Sequence, residues 1–500
     1  MGRLSSKRRL VGLLVLAILI TLGAAASAAG PGGWDHLGDA GTAGSRSLNG
    51  TVSALHAAPG ALYVGGNFTD ASGNPSADRI AIWDGSSWRA VSSPTSQISN
   101  GIVMAIATSG GRVFAGGTFQ NAGGNANADF LAVWDGSSWS PFCTSTGPAF
   151  QGNVVALQIV GSTLYAGGSF QNGANIASAD YLLACNLATG ASSSTVVSPA
   201  HPFSGSVYAL TADSNGVLYA GGGFNNLENL PAADNVAYRD AAGWHALGSG
   251  GGSCGCAVNT FVRSLTATGT NVYVGTDARD VAGIPQADNV VKWNGSTWSA
   301  TGSNTGGADG WFPAATSINA LTSFGSNVFA AGSFLNADGD ARADNVAYFD
   351  GSRWRPIRSD GAGNGPWNGN GLALAVFGAP ARLYAGGSFT SAGGDPQAQF
   401  ATSIPLSQLT TPPPDTTPPK TSLSKTLISQ ARRTASFRFS SNEARSIFLC
   451  KLDKTAFKTC TSPKTYKNLK RGRHEFRVKA RDRAGNVDAT PTIKKFSIKG

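Results

Sequence analysis

One phrase recurs along the chain. Residues 62 to 68 read LYVGGNF, and the pattern returns as VFAGGTF, LYAGGSF, LYAGGGF, VYVGTDA, VFAAGSF and LYAGGSF. Its closing position falls at Phe68, Phe119, Phe170, Phe224, Ala278, Phe334 and Phe389, at intervals of 51 to 56 residues. Seven copies of one unit constrain the fold more than any other feature, because a unit this short cannot bury an apolar face alone and must stack on its neighbours. The first copy divides into four strand-sized runs: VSAL (52–55), LYVGG (62–66), RIAIW (79–83) and WRAV (88–91). Between the last two sits Asp84-Gly85, which recurs as Asp135-Gly136, Asn294-Gly295 and Asp350-Gly351 and supplies the positive-φ backbone of a tight hairpin. Four strands per copy and a period near fifty predict an all-β chain whose residues 30–409 form a seven-bladed β-propeller.

The seventh copy ends without a fourth strand: after FATSIPLSQL the chain enters the proline-rich linker TTPPPDTTPP, residues 410–419. The missing strand is predicted at the other end. WDHLG (34–38) matches WHALG (244–248) and precedes the first copy, so it completes the last sheet and leaves no open edge. An apolar run, Gly65, Gly66, then Trp83 and Trp88 resemble kelch-type propeller repeats. The copies are still more similar to the Rax2-like cell-polarity marker proteins and their bacterial relatives. That resemblance covers residues 34–409 and implies a fold rather than an activity, since such scaffolds host unrelated functions.

Beyond the linker, residues 420–500 contain TASFRFSS, IFLCKLD, HEFRVKARD and TIKKFSIK, strand-sized runs separated by turn residues. The pattern predicts a small β-sandwich. It resembles the immunoglobulin-like or fibronectin-like modules of secreted bacterial proteins. The resemblance implies that Cys450 and Cys460 clip one hairpin and that DRAGN (482–486) forms a turn.

Charge is divided unevenly along the chain. Residues 30–414 carry 13 Lys and Arg against 22 Asp and Glu, whereas residues 415–500 carry 21 against 6, a net of +15. A basic module on an acidic body reads as a partner-facing patch, with an anionic cell-wall polymer as its expected partner. Nucleic acid is not expected, because no stacking-aromatic motif accompanies the charge. Arg3, Lys7, Arg8 and Arg9, then LVGLLVLAILITL and GAAASAAG, read as a signal peptide over residues 1–29, cleaved near Ala28, and predict a secreted protein associated with the envelope. Six cysteines in such a chain point to disulfides. Cys450 with Cys460 is the economical pair; Cys143, Cys185, Cys254 and Cys256 allow three pairings, of which Cys143–Cys185 with Cys254–Cys256 is preferred.

Candidate chemistry is sparse. Asp78, Asp129, Asp180, Asp234, Asp288 and Asp344 each follow the closing position by ten residues. A ring of carboxylates invites a cation, but a short Asp side chain in a loop of constant length more readily holds a turn, and the structural role is the one expected. WDGSSW is one residue too short for a sialidase Asp-box. His36, His56, His201, His245 and His474 are scattered and form no ligand-spaced pair, against a copper oxidase of the galactose oxidase kind. No metal or cofactor is expected. The connections 248–261, 301–317 and 357–371 vary in length and carry Trp311, Phe312 and Trp367, candidates to stack on a ligand. These features predict a non-enzymatic binding or adhesion protein, its propeller face taking a glycan or protein ligand and its basic module tethering it to envelope polymers. The alternative is a polysaccharide lyase or hydrolase using Asp309, Asp338 and Asp360.

Overall fold

A computed structural model describes residues 31–38, 46–143, 149–196, 202–248, 256–313, 316–409, 418–443, 446–481 and 486–499. The predicted leader, most of the linker, Cys254 and most of the DRAGN turn lie outside the described residues.

Each repeat forms one four-stranded antiparallel sheet. In the first, Val52–Ala58, Ala61–Gly66, Ile80–Trp83 and Trp88–Ala90 pair in chain order. The opening strand has a register shift after its first residue in every copy, between Val52 and Ala54 and at the six equivalent places. Such a bulge bends the strand and turns its first side chain out of the local ladder. Strands three and four meet at a tight turn in which Asp84 Oδ1 accepts the N–H groups of Ser86 and Ser87, at 2.9 and 2.8 Å. Asp135, Asn294 and Asp350 hold their turns in the same way.

Neighbouring repeats lock through one recurrent contact. A Cβ added to the first glycine of the pair would come within 2.7 Å of Val103 at Gly65 and within 2.8 Å of Val154 at Gly116 and of Val207 at Gly167. Gly221 and Gly275 meet Val262 and Ile318 likewise. The sixth repeat inverts the pair: Ala331 stands in the glycine's place, and the facing residue of the seventh repeat is Gly371. Gly386 of the seventh repeat meets Val52 of the first, so the opening strands contact in succession and the last packs against the first. The N-terminal segment is placed where its sequence predicts. Asp35–His36 pairs with Ala401–Pro405, Thr402 Oγ1 donates to the Asp35 carbonyl at 3.0 Å, Arg382 pairs with Asp35, and Trp34 is fully buried.

The C-terminal unit contains Thr421–Ser429, Thr434–Ser441 and Lys464–Tyr466 in one sheet, and Lys458–Cys460, Ile447–Leu452, Gly472–Arg481 and Thr492–Ile498 in another. Phe437 of the first stacks on Phe476 of the second with centroids 4.0 Å apart. Cys450 bonds to Cys460, and Cys143 to Cys185. Cys256 is also disulfide-bonded.

The topology corrects the sequence-based fold. The described residues form nine discrete antiparallel sheets, none closed on itself into a barrel and none joined to another by a hydrogen-bonded ladder. In place of a seven-bladed β-propeller followed by an immunoglobulin- or fibronectin-like sandwich, the fold is all-β in those terms. The physical reason is the reach of the signal. Apolar alternation and Asp-Gly turns specify strands, hairpins and register, all local properties, whereas the placement of one sheet beside the next is set by contacts between repeats.

Candidate recognition cleft

The loop between strands two and three is built alike in six repeats. An Asn or Asp in the left-handed region precedes a short 3-10 turn, and its backbone N–H donates to the aspartate eight residues on. The pairs are Asp70 to Asp78, Asn121 to Asp129, Asn172 to Asp180, Asn226 to Asp234, Asp280 to Asp288 and Asn336 to Asp344, at 2.5 to 2.9 Å. Each carboxylate thus closes its own loop. Among the described residues no group of three or more His, Cys, Asp or Glu is placed to hold a metal ion.

The residue after each aspartate is also left-handed, and in three repeats it is a buried asparagine. Asn235, Asn289 and Asn345 donate from Nδ2 to the carbonyls of Val258, Thr316 and Trp367, at 3.0, 3.1 and 3.2 Å. Asparagine tolerates positive φ better than most side chains, and here its amide also ties down the connection that follows the fourth strand. Sequence reasoning missed this tie, although the repeated Asp-Asn dipeptide at 234–235, 288–289 and 344–345 was its signal.

The large aromatics of the connections are core residues. Trp311, Phe312 and Trp367 are 7%, 3% and 4% exposed. Phe312 packs edge-on against Phe334, and Trp367 stacks on Phe389 and meets Trp34. Phe150 on Phe170 and Phe203 on Phe224 repeat the arrangement, so in these four repeats the connection supplies a ring that covers the closing phenylalanine. Their pattern in the sequence is an aromatic 20 to 22 residues before that phenylalanine.

The three loop carboxylates suggested for catalysis do not converge. Asp309 bonds Arg279 at 2.6 Å, and Arg279 reaches the fully buried Asp288 carboxylate at 3.0 Å. Burial pushes Asp288 upward, aided by the neighbouring Asp309 carboxyl. Asp338 accepts from the backbone N–H and hydroxyl of Thr305. Asp360 accepts from the N–H groups of Ala362 and Asn364 and from the Asn364 amide. Burial works against its charge, and the hydrogen bonds from Asn364 and Ala362 outweigh it, holding the carboxyl below its ordinary value.

Where the loop ending at Asp344 meets the 357–371 connection, the surface opens into a cleft of about 540 Å³. Asp344, Asp360, Asn364, Asn368, Asn370 and Ser391 contribute polar groups, and among the described residues no Lys or Arg lines it. Gly365 approaches Asp344 so closely that a side chain there would clash with it, which fixes the connection against the loop.

No protein-family model matches the chain, and no curated protein matches it. Its fold is similar to the extracellular domain of what is described as a hybrid two component system from B. thetaiotaomicron, at 12% identity and a TM-score of 0.50, over 93% of this chain and 56% of that one. The extracellular domain of a second such system from the same organism gives 12% identity and a TM-score of 0.44 over 90% and 57%. The chain therefore spans little more than half the length of these structures. The fold likeness is thus to the first of these extracellular domains and not to kelch-type or Rax2-like proteins, and the kelch-type and Rax2-like expectation is withdrawn. The binding or adhesion role and its lyase or hydrolase alternative fall with it, because both rested on a propeller face that the topology does not give.

Proposed function

We propose that the chain is an extracellular recognition domain of the sensor type, which binds a small, polar, positively charged solute in the cleft between the Asp344 loop and the 357–371 connection. The observation that carries this reading is the lining of that cleft: two carboxylates among amides and hydroxyls, with no Lys or Arg among the described residues that line it. Such a surface attracts a cation and offers it acceptors on several sides. The fold likeness to an extracellular domain of a two component system supports the sensor type. The basic leader with its apolar run supports export, as does the presence of disulfides. Among the described residues no helix is long and apolar enough to cross a membrane. The partner of the basic C-terminal unit is an anionic cell-wall polymer, on the strength of its net charge.

A thermal-shift screen of the full chain against small amines, amino acids and betaines tests the cleft. At least one solute raises the melting temperature, and Asp360→Asn removes most of that shift. A panel without effect, or a shift that survives the substitution, contradicts the reading.

A further inference from the structure

The strand register of the C-terminal unit places its charge on one surface. In Gly472–Arg481, Phe476, Val478 and Ala480 are fully buried, so the alternate residues Arg473, Glu475, Arg477, Lys479 and Arg481 point away from the core. Directly opposite residues share a face. Lys451 lies opposite Arg477, and Lys495 opposite Glu475. Six cations therefore share the outer face with Glu475, and a second carboxylate, Asp453, borders it. Arg477 bonds Glu475 at 2.5 Å, and that hydrogen bond, followed by the charges of Arg477, Lys495 and Lys451, holds Glu475 below its ordinary value.

Like charges directly across a ladder are unfavourable, so the Lys451/Arg477 pair weakens the isolated sheet and is relieved by an anion lying over both. Along a strand such residues repeat at about 6.8 Å, and between strands at about 4.8 Å, a two-dimensional lattice suited to a chain of regularly spaced charges. Among the described residues the face offers no bare ring. Phe457, the aromatic beside it, is covered by the ammonium groups of Lys451 and Lys479, 5.2 and 4.8 Å from its centroid. A ligand whose affinity depends on stacking, of bases or of sugar rings, finds no platform there.

We propose that the outer face of strands Ile447–Leu452, Gly472–Arg481 and Thr492–Ile498 binds a linear phosphodiester polymer. The proposal rests on the reading that the basic unit has an anionic partner and adds the face and the chemistry. Phosphate oxygens take the forked N–H groups of Arg473, Arg477 and Arg481, and Lys451, Lys479 and Lys495 supply point charges between them.

The test measures binding of the full chain to labelled poly(glycerol phosphate) by fluorescence anisotropy at low and moderate salt. The parent binds, and salt weakens it. The K451E/R477E double variant loses at least tenfold. A control of equal charge change, K425E/R438E, alters an exposed opposite pair on the other sheet and loses less than threefold. Unchanged circular-dichroism melting of both variants excludes unfolding as the cause. Equal losses overturn the assignment of the face while leaving an anionic partner in place. Tighter binding of polygalacturonate of matched charge overturns the phosphodiester, and tighter binding of single-stranded DNA, itself a phosphodiester, overturns the reading of a face without a stacking platform. No binding of any polyanion by the parent overturns the partner reading as well.

Discussion

At the residue scale, the contact between repeats is legible in a substitution the chain makes in itself. Six glycines face a Val or Ile of the next repeat, and where Ala331 replaces the glycine the facing residue becomes Gly371. Volume is conserved across the contact, as expected where packing leaves no slack. The turn aspartates show a second residue-scale balance. Burial raises the Asp84 carboxyl, but hydrogen bonds from the N–H and hydroxyl groups of Ser87 and Ser86 outweigh it and hold it at about 2. At Asp135 the N–H of Ser138 leads, followed by the hydroxyl and N–H of Ser137, again to about 2. The folded value lies below the ordinary 3.8, so this stabilisation is fully present above 3.8 and is lost as pH falls toward 2. Asn294 makes the same turn without a charge, so Asp84→Asn folds. We expect it to cost less than about 1 kcal/mol at neutral pH, the site being largely solvated. The difference from the parent vanishes near pH 2, as melting curves across that range will show. A difference that persists there contradicts the charge-assisted turn.

At the scale of the element, the fourth strand of five repeats works as a hook. Its tryptophan donates from Nε1 into the preceding repeat: Trp139 to Ser92 Oγ at 2.9 Å, Trp244 to the Thr195 carbonyl at 3.1 Å, Trp354 to Thr301 Oγ1 at 2.8 Å. Trp88 and Trp298 reach the Leu37 and Leu247 carbonyls at 2.5 and 2.6 Å. The sequence shows these tryptophans as markers of a period, but it does not show their partners, which lie about fifty residues upstream. Trp139→Phe keeps most of the buried ring and leaves Ser92 without its donor. It is expected to cost about 1–3 kcal/mol, measured by urea unfolding, because a buried polar group is left unpaired. A change within error contradicts the hook. The same limit explains the aromatics of the long connections. Phe312 and Trp367 stand in variable, glycine-rich segments, the usual context of binding residues, and their burial follows from the closing phenylalanines they cover, a partnership visible only in three dimensions.

At the scale of the whole molecule, the sequence carried the strand count of the repeats, the hairpin turns, the pairing of the N-terminal segment with the seventh repeat and two of the disulfides, but only four of the seven strands of the C-terminal unit. Each rests on local pattern or on a direct match between segments. Family and function were not legible, because glycine pairs and tryptophans report how neighbouring sheets touch and not what the assembled surface binds. The cleft at Asp344 and Asp360 depends on two segments brought together by packing, and neither carries a motif. The central claim is that one volume-matched contact joins successive repeats and also joins the seventh to the first through Gly386 and Val52. The most direct measurement is a double-mutant cycle at that junction, read as unfolding free energy. Gly386→Ala and Val52→Gly each destabilise, and the double variant, which copies the Ala331/Gly371 arrangement, loses less than the sum of the two by about 1 kcal/mol or more. Strictly additive losses would contradict the account.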